Sequence, residues 1–262
     1  RFSLFSSVGQ MVGPLMVGAA AGTMGYQWAL VVPAAYALGF LVLGLYLVEV
    51  AQPPRGQAKP SQGVGVRSAW QLLAIPGIWV VLLLTFGRVW ITVVYATFVP
   101  VYLVIDRDFD PFIVGTVTAT SGLVAAAIAP TVGFWTRYAS PATVTNVALT
   151  SGATGLILVP HVAALPYVFI VPVLVGVGLG ITLPLLLSMT ATEAPEGRRG
   201  VALGLRSTAT QSAMAGAPLL VGAVMGLLGT LLGFTGAGIA GLAVLVGARL
   251  VARRASLSNP SG

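Results

Sequence analysis

Residues 166–190 read PYVFIVPVLVGVGLGITLPLLLSMT, without one charged side chain. A bilayer span needs about 20 predominantly apolar residues, so this stretch is long enough to cross. It lies inside a longer charge-free run, 138–192, of 55 residues. Two more runs are equally bare: 2–48, with 47 residues, and 207–248, with 42. Each of the three holds two spans joined by a tight uncharged turn, and residues 68–105 and 111–136 fit one span apiece. The runs are continuously apolar, unlike the alternating segments of about ten residues in a membrane barrel. The expected fold is therefore all-α and polytopic. Its eight transmembrane helices are placed at 3–24, 28–48, 77–103, 112–133, 143–160, 166–190, 202–226 and 229–251.

The whole chain agrees with this reading. Of 262 residues, 57% are hydrophobic and 7% charged, and the mean hydropathy is +0.97. A soluble domain carries about 25% charged residues; with so few, its surface would be one large apolar patch. Disorder needs the opposite composition. The absence of cysteine removes a disulfide framework and a thiolate metal site. The single histidine, His161, falls in the turn between the fifth and sixth spans and reads as a loop residue. Asp106, Asp108 and Asp110 belong to one short loop, with no further carboxylates converging on them, so neither a metal site nor a cofactor is expected. No acid–base pair for catalysis can be assembled, and the chain is not read as an enzyme.

Eleven of the 13 bases gather on one face. Arg55, Lys59, Arg67, Arg137, Arg198, Arg199, Arg253 and Arg254 lie after the second, fourth, sixth and eighth spans. Arg1, Arg206 and Arg249 lie near the same side. The opposite face has Arg107 among the three aspartates. The positive-inside rule puts the basic face, and both termini, in the cytoplasm. The expected location is the cell (inner) membrane, multi-pass. The net charge of +7 then reflects topology and contact with anionic lipid rather than nucleic-acid binding.

A repeat runs through the sequence. Pro14-Leu-Met-Val-Gly18-Ala-Ala-Ala-Gly22 matches Pro218-Leu-Leu-Val-Gly222-Ala-Val-Met-Gly226 at an offset of 204 residues. Both stretches follow a polar half-helix that starts near a basic residue, Arg1 or Arg206. The second copy lies six spans after the first, so a six-helix unit is repeated in parallel, one of the architectures used by transporters.

With Gly9-Gln-Met-Val-Gly13-Pro14 followed by Gly18, the chain resembles the major facilitator superfamily, whose fifth helix carries a Gly-x3-Gly-Pro pattern. The family usually has a glycine pair sooner after the proline. Gly133-Phe-Trp-Thr-Arg137 is similar to a second family signature but lacks its aspartate. The resemblance implies that the eight spans correspond to family helices five to twelve. Residues 1–50 are then the last two helices of an N-terminal six-helix half, 51–68 a cytoplasmic linker, 69–254 the C-terminal six-helix half and 255–262 a cytoplasmic tail. On this reading the chain is a fragment that starts inside a longer reading frame, with four spans before Arg1.

Arg88 is the charge that topology does not explain. It lies 11 residues from Gly77, about 16 Å deep at 1.5 Å per residue, near the middle of a core about 30 Å thick. A charge there faces a cavity or a partner. Thr85, Arg88, Thr92 and Tyr95 are spaced to share one helix face. Two readings stand: Arg88 binds an anionic solute group or pairs with a coupling acid, or it is a packing residue bonded to backbone carbonyls. The resemblance makes this a cavity-lining helix.

The span at 166–190 resembles another cavity-lining helix and offers hydroxyls on Thr182 and Ser188. Gly176, Gly180 and Pro184 recur there at steps of four and read as close packing with a flexible point. Pro218 and Gly222 are read with them, as are Gly9, Gly13, Pro14 and Gly18. Asn146 and Gln211 are candidate interhelical donors. No acid lies at membrane depth.

The expected function is secondary active transport of a small organic solute by alternating access, within a lipid bilayer, with an anionic solute and a coupling ion both left open. The alternative is a non-transporting membrane scaffold or sensor on the same fold.

Overall fold

The computed structural model describes residues 2–25, 31, 34–35, 38–39, 66–162, 164, 167–195 and 197–258. Most of the expected span at 28–48, and linker positions 51–65, lie outside the described residues. Every described element is helical. In chain order these are α1 (Phe2–Met24), α2 (Val66–Leu73), α3 (Pro76–Ile105), α4 (Pro111–Ile128), α5 (Val132–Trp135), α6 (Pro141–Leu158), α7 (Ile170–Glu193), α8 (Arg199–Leu228) and α9 (Thr230–Ser258).

Six helical segments among the described residues are long and apolar enough to cross a membrane: Pro76–Ile105, Pro111–Trp135, Pro141–His161, Tyr167–Glu193, Arg199–Leu228 and Thr230–Arg254. They coincide with the last six expected spans. α1 is a further helix of 23 residues, at the place of the first.

Local chemistry sets the starts. Proline occupies the first turn of α3, α4 and α6, where its missing N–H has no helical partner to lose. The Asp110 carboxylate accepts from the Phe112 N–H at 2.8 Å, and the Ser140 hydroxyl accepts from the Thr143 N–H at 3.3 Å. α8 and α9 are joined by Gly229 alone, at φ 88°, a left-handed conformation that a side chain disfavours. One expected helix is not continuous. The span at 112–133 ends as α4 at Ile128, then tightens to a 3-10 turn, Ala129–Thr131, before α5. Pro130 sits in that turn, and proline both lacks a donor and crowds the preceding carbonyl.

The helices meet through small residues, as expected where lipid supplies no hydrophobic drive for association. A methyl built on Gly180 would fall 2.5 Å from the Ala125 carbonyl oxygen, and one on Gly176 would fall 2.6 Å from that of Ser121, so α7 lies directly on α4. A methyl on Gly18 would meet Gly115 Cα at 2.8 Å, which packs α1 on α4. Gly222 faces the Phe98 ring of α3, whereas nothing lies within 4 Å of a methyl at Gly13. Pro14, Pro184 and Pro218 are all inside their helices. Gly9 lies in the part of α1 whose surroundings are outside the described residues.

Polar bonds fasten three of the helices together. Trp90 Nε1 on α3 donates to the Ala237 carbonyl of α9 at 3.0 Å. Asn146 Nδ2 on α6 donates to the Leu245 carbonyl of α9 at 2.8 Å. Arg107 donates from Nε to the Tyr102 hydroxyl at 2.7 Å and from Nη2 to the Pro160 carbonyl at 3.1 Å, joining the far ends of α3 and α6.

Directions follow from contacts. Ala202 and Ile78 share one buried cluster, and Gly222 faces Phe98. Both pairs differ by 124 positions, so α8 runs parallel to α3 in a fixed register. Gly18 and Gly22 of α1 approach Pro111 and Phe112 at the start of α4. α1 therefore runs against α4, and in the same sense as α3 and α8. The two copies of the Pro-x3-Gly-x3-Gly repeat thus point the same way.

Candidate functional site

α3 begins at Pro76, 12 residues before Arg88, which puts the Arg88 backbone about 18 Å along the helix. α7 reaches the same level from the other direction. Thr182 lies 11 residues before its end at Glu193, about 17 Å in. The two side chains meet: Arg88 Nε donates to Thr182 Oγ1 at 3.1 Å, across 94 residues of sequence. Thr182 is fully buried and Arg88 half-buried. Among the described residues this is the one hydrogen bond the guanidinium makes, and its acceptor is a neutral hydroxyl. The nearest described acids stand at the ends of the bundle. Glu193 lies against Gly77 at the start of α3, while Asp106, Asp108 and Asp110 occupy the opposite loop.

The other expected residues take different places. Thr92 Oγ1 donates to the Arg88 carbonyl at 2.8 Å, within its own helix. Tyr95 is buried, and its hydroxyl lies 3.4 Å and 3.5 Å from the Thr118 and Val117 carbonyls of α4. Thr85 is buried, and its hydroxyl has no hydrogen-bond partner among the described residues. Ser188 lies exposed, six residues along α7 from Thr182. The structure therefore joins Arg88 with Thr182, places Thr85 and Tyr95 in the packing around them, and leaves Ser188 apart.

One residue was not anticipated as part of the site. By sequence, Arg206 lies near the basic face, close to the start of a helix placed at 202–226. α8 begins three residues earlier, at Arg199, so Arg206 stands about 10 Å inside it. The α3–α8 register sets it level with Leu82, about 9 Å nearer the basic end than Arg88. It is half-buried, and its Nε is buried without a hydrogen-bond partner among the described residues. A helix start read three residues sooner would have revealed it.

A family model for the Major Facilitator Superfamily matches residues 1–218. The chain belongs to the major facilitator superfamily. No curated relative matches it. Members of this superfamily are transporters rather than enzymes. Membership makes the chain a multi-pass membrane protein that works in a lipid bilayer on a small-molecule substrate. Elsewhere in the bundle, at its basic end, a cavity of about 290 Å³ opens between α3, α6 and α9 beside Asn146, Arg249 and Arg253. Arg88 does not line it.

Proposed function

We propose that the protein is a secondary active transporter of a small organic anion, working by alternating access, with Arg88 as the anion-binding residue and Thr182 as its positioning partner. The observation that carries this reading is the Arg88–Thr182 hydrogen bond at mid-bilayer depth. A guanidinium there is costly unless something answers its charge, and a hydroxyl does not. An arginine presents five donors in a rigid fork, suited to carboxylate or phosphate; with Nε engaged, the Nη edge is left for a solute. Exposed polar residues on apolar helices support an aqueous passage nearby. Ser188 and Thr192 on α7, and Ser207, Thr208, Gln211 and Ser212 on α8, are all exposed, a composition that lipid disfavours.

In this reading there are eight spans, corresponding to helices five to twelve of the superfamily, and residues 69–254 are the C-terminal six-helix half. The basic end faces the cytoplasm. Small-residue contacts at Gly176, Gly180, Gly18 and Gly222 let helices shift against one another, and Pro184 and Pro218 give them points at which to bend.

The test is uptake into proteoliposomes by the intact protein carrying Arg88→Gln or Arg88→Lys. The glutamine variant is expected to lose saturable uptake of the anion. The lysine variant keeps the charge but not the fork, and should retain a weakened fraction. Unchanged transport in both would remove Arg88 from the mechanism.

A further inference from the structure

Arg88 and Arg206 form an unbalanced pair. They lie about 9 Å apart along the bundle axis by the register of α8 on α3, and both carry positive charge. Two like charges at membrane depth raise the cost of both. No described carboxylate offsets them: Glu193 sits at the start of α3, and the aspartates at the opposite end. Each arginine also has unused hydrogen-bonding capacity. Among the described residues, Arg88 spends only Nε, and Arg206 holds its Nε out of water with no acceptor. A buried donor on a cation costs more when unpaired than a neutral one does, so this arrangement is suited to an occupant that supplies the missing acceptors and charge.

We propose that Arg206 is a second anion-binding residue beside Arg88, and that the transported solute is a dianion such as a dicarboxylate or a phosphate monoester. The inference rests on the anion reading of Arg88 given above and adds a charge count to it. One negative charge would neutralise Arg88 alone and leave Arg206 uncompensated. Two would neutralise both, with Arg206 engaging the group nearer the basic end. Arg206 is thereby the specificity-determining residue and Arg88 the common anchor.

The experiment is ligand binding to the purified intact protein, read as saturable shifts in thermal unfolding. The probes are succinate, phenyl phosphate, propionate and an uncharged diol. The wild-type protein is expected to bind both dianions more tightly than propionate and to ignore the diol. Arg206→Gln should weaken the dianions on the order of ten- to a hundredfold while leaving propionate unchanged. Arg206→Lys should restore most of the dianion preference, which separates loss of charge from loss of fold. Arg88→Gln should abolish binding of all three anions. If the wild type prefers propionate, or if Arg206→Gln lowers dianions and propionate alike, the dianion inference is overturned while Arg88 keeps its role. If no anion binds the wild type, the anion reading of Arg88 falls, and this inference with it.

Discussion

At the level of single residues, the site turns on what a guanidinium can find at bilayer depth. Arg88 was legible in the sequence because one charge inside an apolar helix has no topological explanation. Its partner was not, since Thr182 lies 94 residues away and a threonine in a membrane helix most often bonds back to its own turn. Thr118, Thr150 and Thr190 all do so here. Arg206 was less legible, because a helix start read three residues late puts it nearer the basic surface than the half-buried position it takes. The Arg88–Thr182 bond is testable without any solute. Thr182→Val keeps the shape but removes the acceptor, leaving a buried charged donor unpaired, and is expected to cost about 1–3 kcal/mol. Thr182→Ser should remain close to wild type. Thermal unfolding in detergent reads the difference, and equal stability of the two variants would mean that Nε finds another acceptor.

Helices and their crossings were the most legible layer. Asp110-Pro111 marks the start of α4, where the carboxylate accepts from the Phe112 N–H. Charge-free runs placed the last six spans. The interruption of α4 at Ala129–Thr131 was missed because the hydropathy of the stretch is uniform and only Pro130 marks the break. The steps of four from Gly176 to Pro184 read as close packing without saying against which helix; Gly176 and Gly180 lie against Ser121 and Ala125 of α4. That crossing has a measurable margin. Gly180→Ala puts a methyl 2.5 Å from the Ala125 carbonyl oxygen, where backbone has to move, so a loss of about 1–3 kcal/mol is expected. Gly216→Ala, with nothing within 4 Å of the new methyl, should be neutral or gain about 0.5–1 kcal/mol from helix propensity. Matching melting temperatures for the two variants would show that α4 and α7 separate freely.

For the molecule as a whole, orientation is the property that charge distribution reaches and packing does not. These 262 residues contain no cysteine, so a single thiol can be placed among them and read against the parent protein without it. Tyr138, 76% exposed at the basic end, and Asp106, exposed at the other, are suitable sites. With a membrane-impermeant maleimide on intact cells, Asp106→Cys should react and Tyr138→Cys should react only after permeabilisation. The reverse pattern would invert the assigned topology. The parallel repeat was equally readable, from Pro14-x3-Gly18 and Pro218-x3-Gly222, because a parallel copy keeps its sequence order as well as its direction. The fastening of α3 and α6 by α9 also constrains how the protein is made. The Trp90 indole waits for a carbonyl 147 residues downstream, and the Asn146 amide for one 99 residues downstream. At about 5–20 residues per second, the ribosome delivers Ala237 on the order of ten seconds after Trp90. Each donor, once made, stays in the bilayer or its insertion machinery without its final acceptor until α9 is delivered. Assembly of this half therefore cannot finish helix by helix during synthesis; it waits for the last helix, and a nascent chain stalled before α9 carries two unmet polar groups that mark it as incomplete.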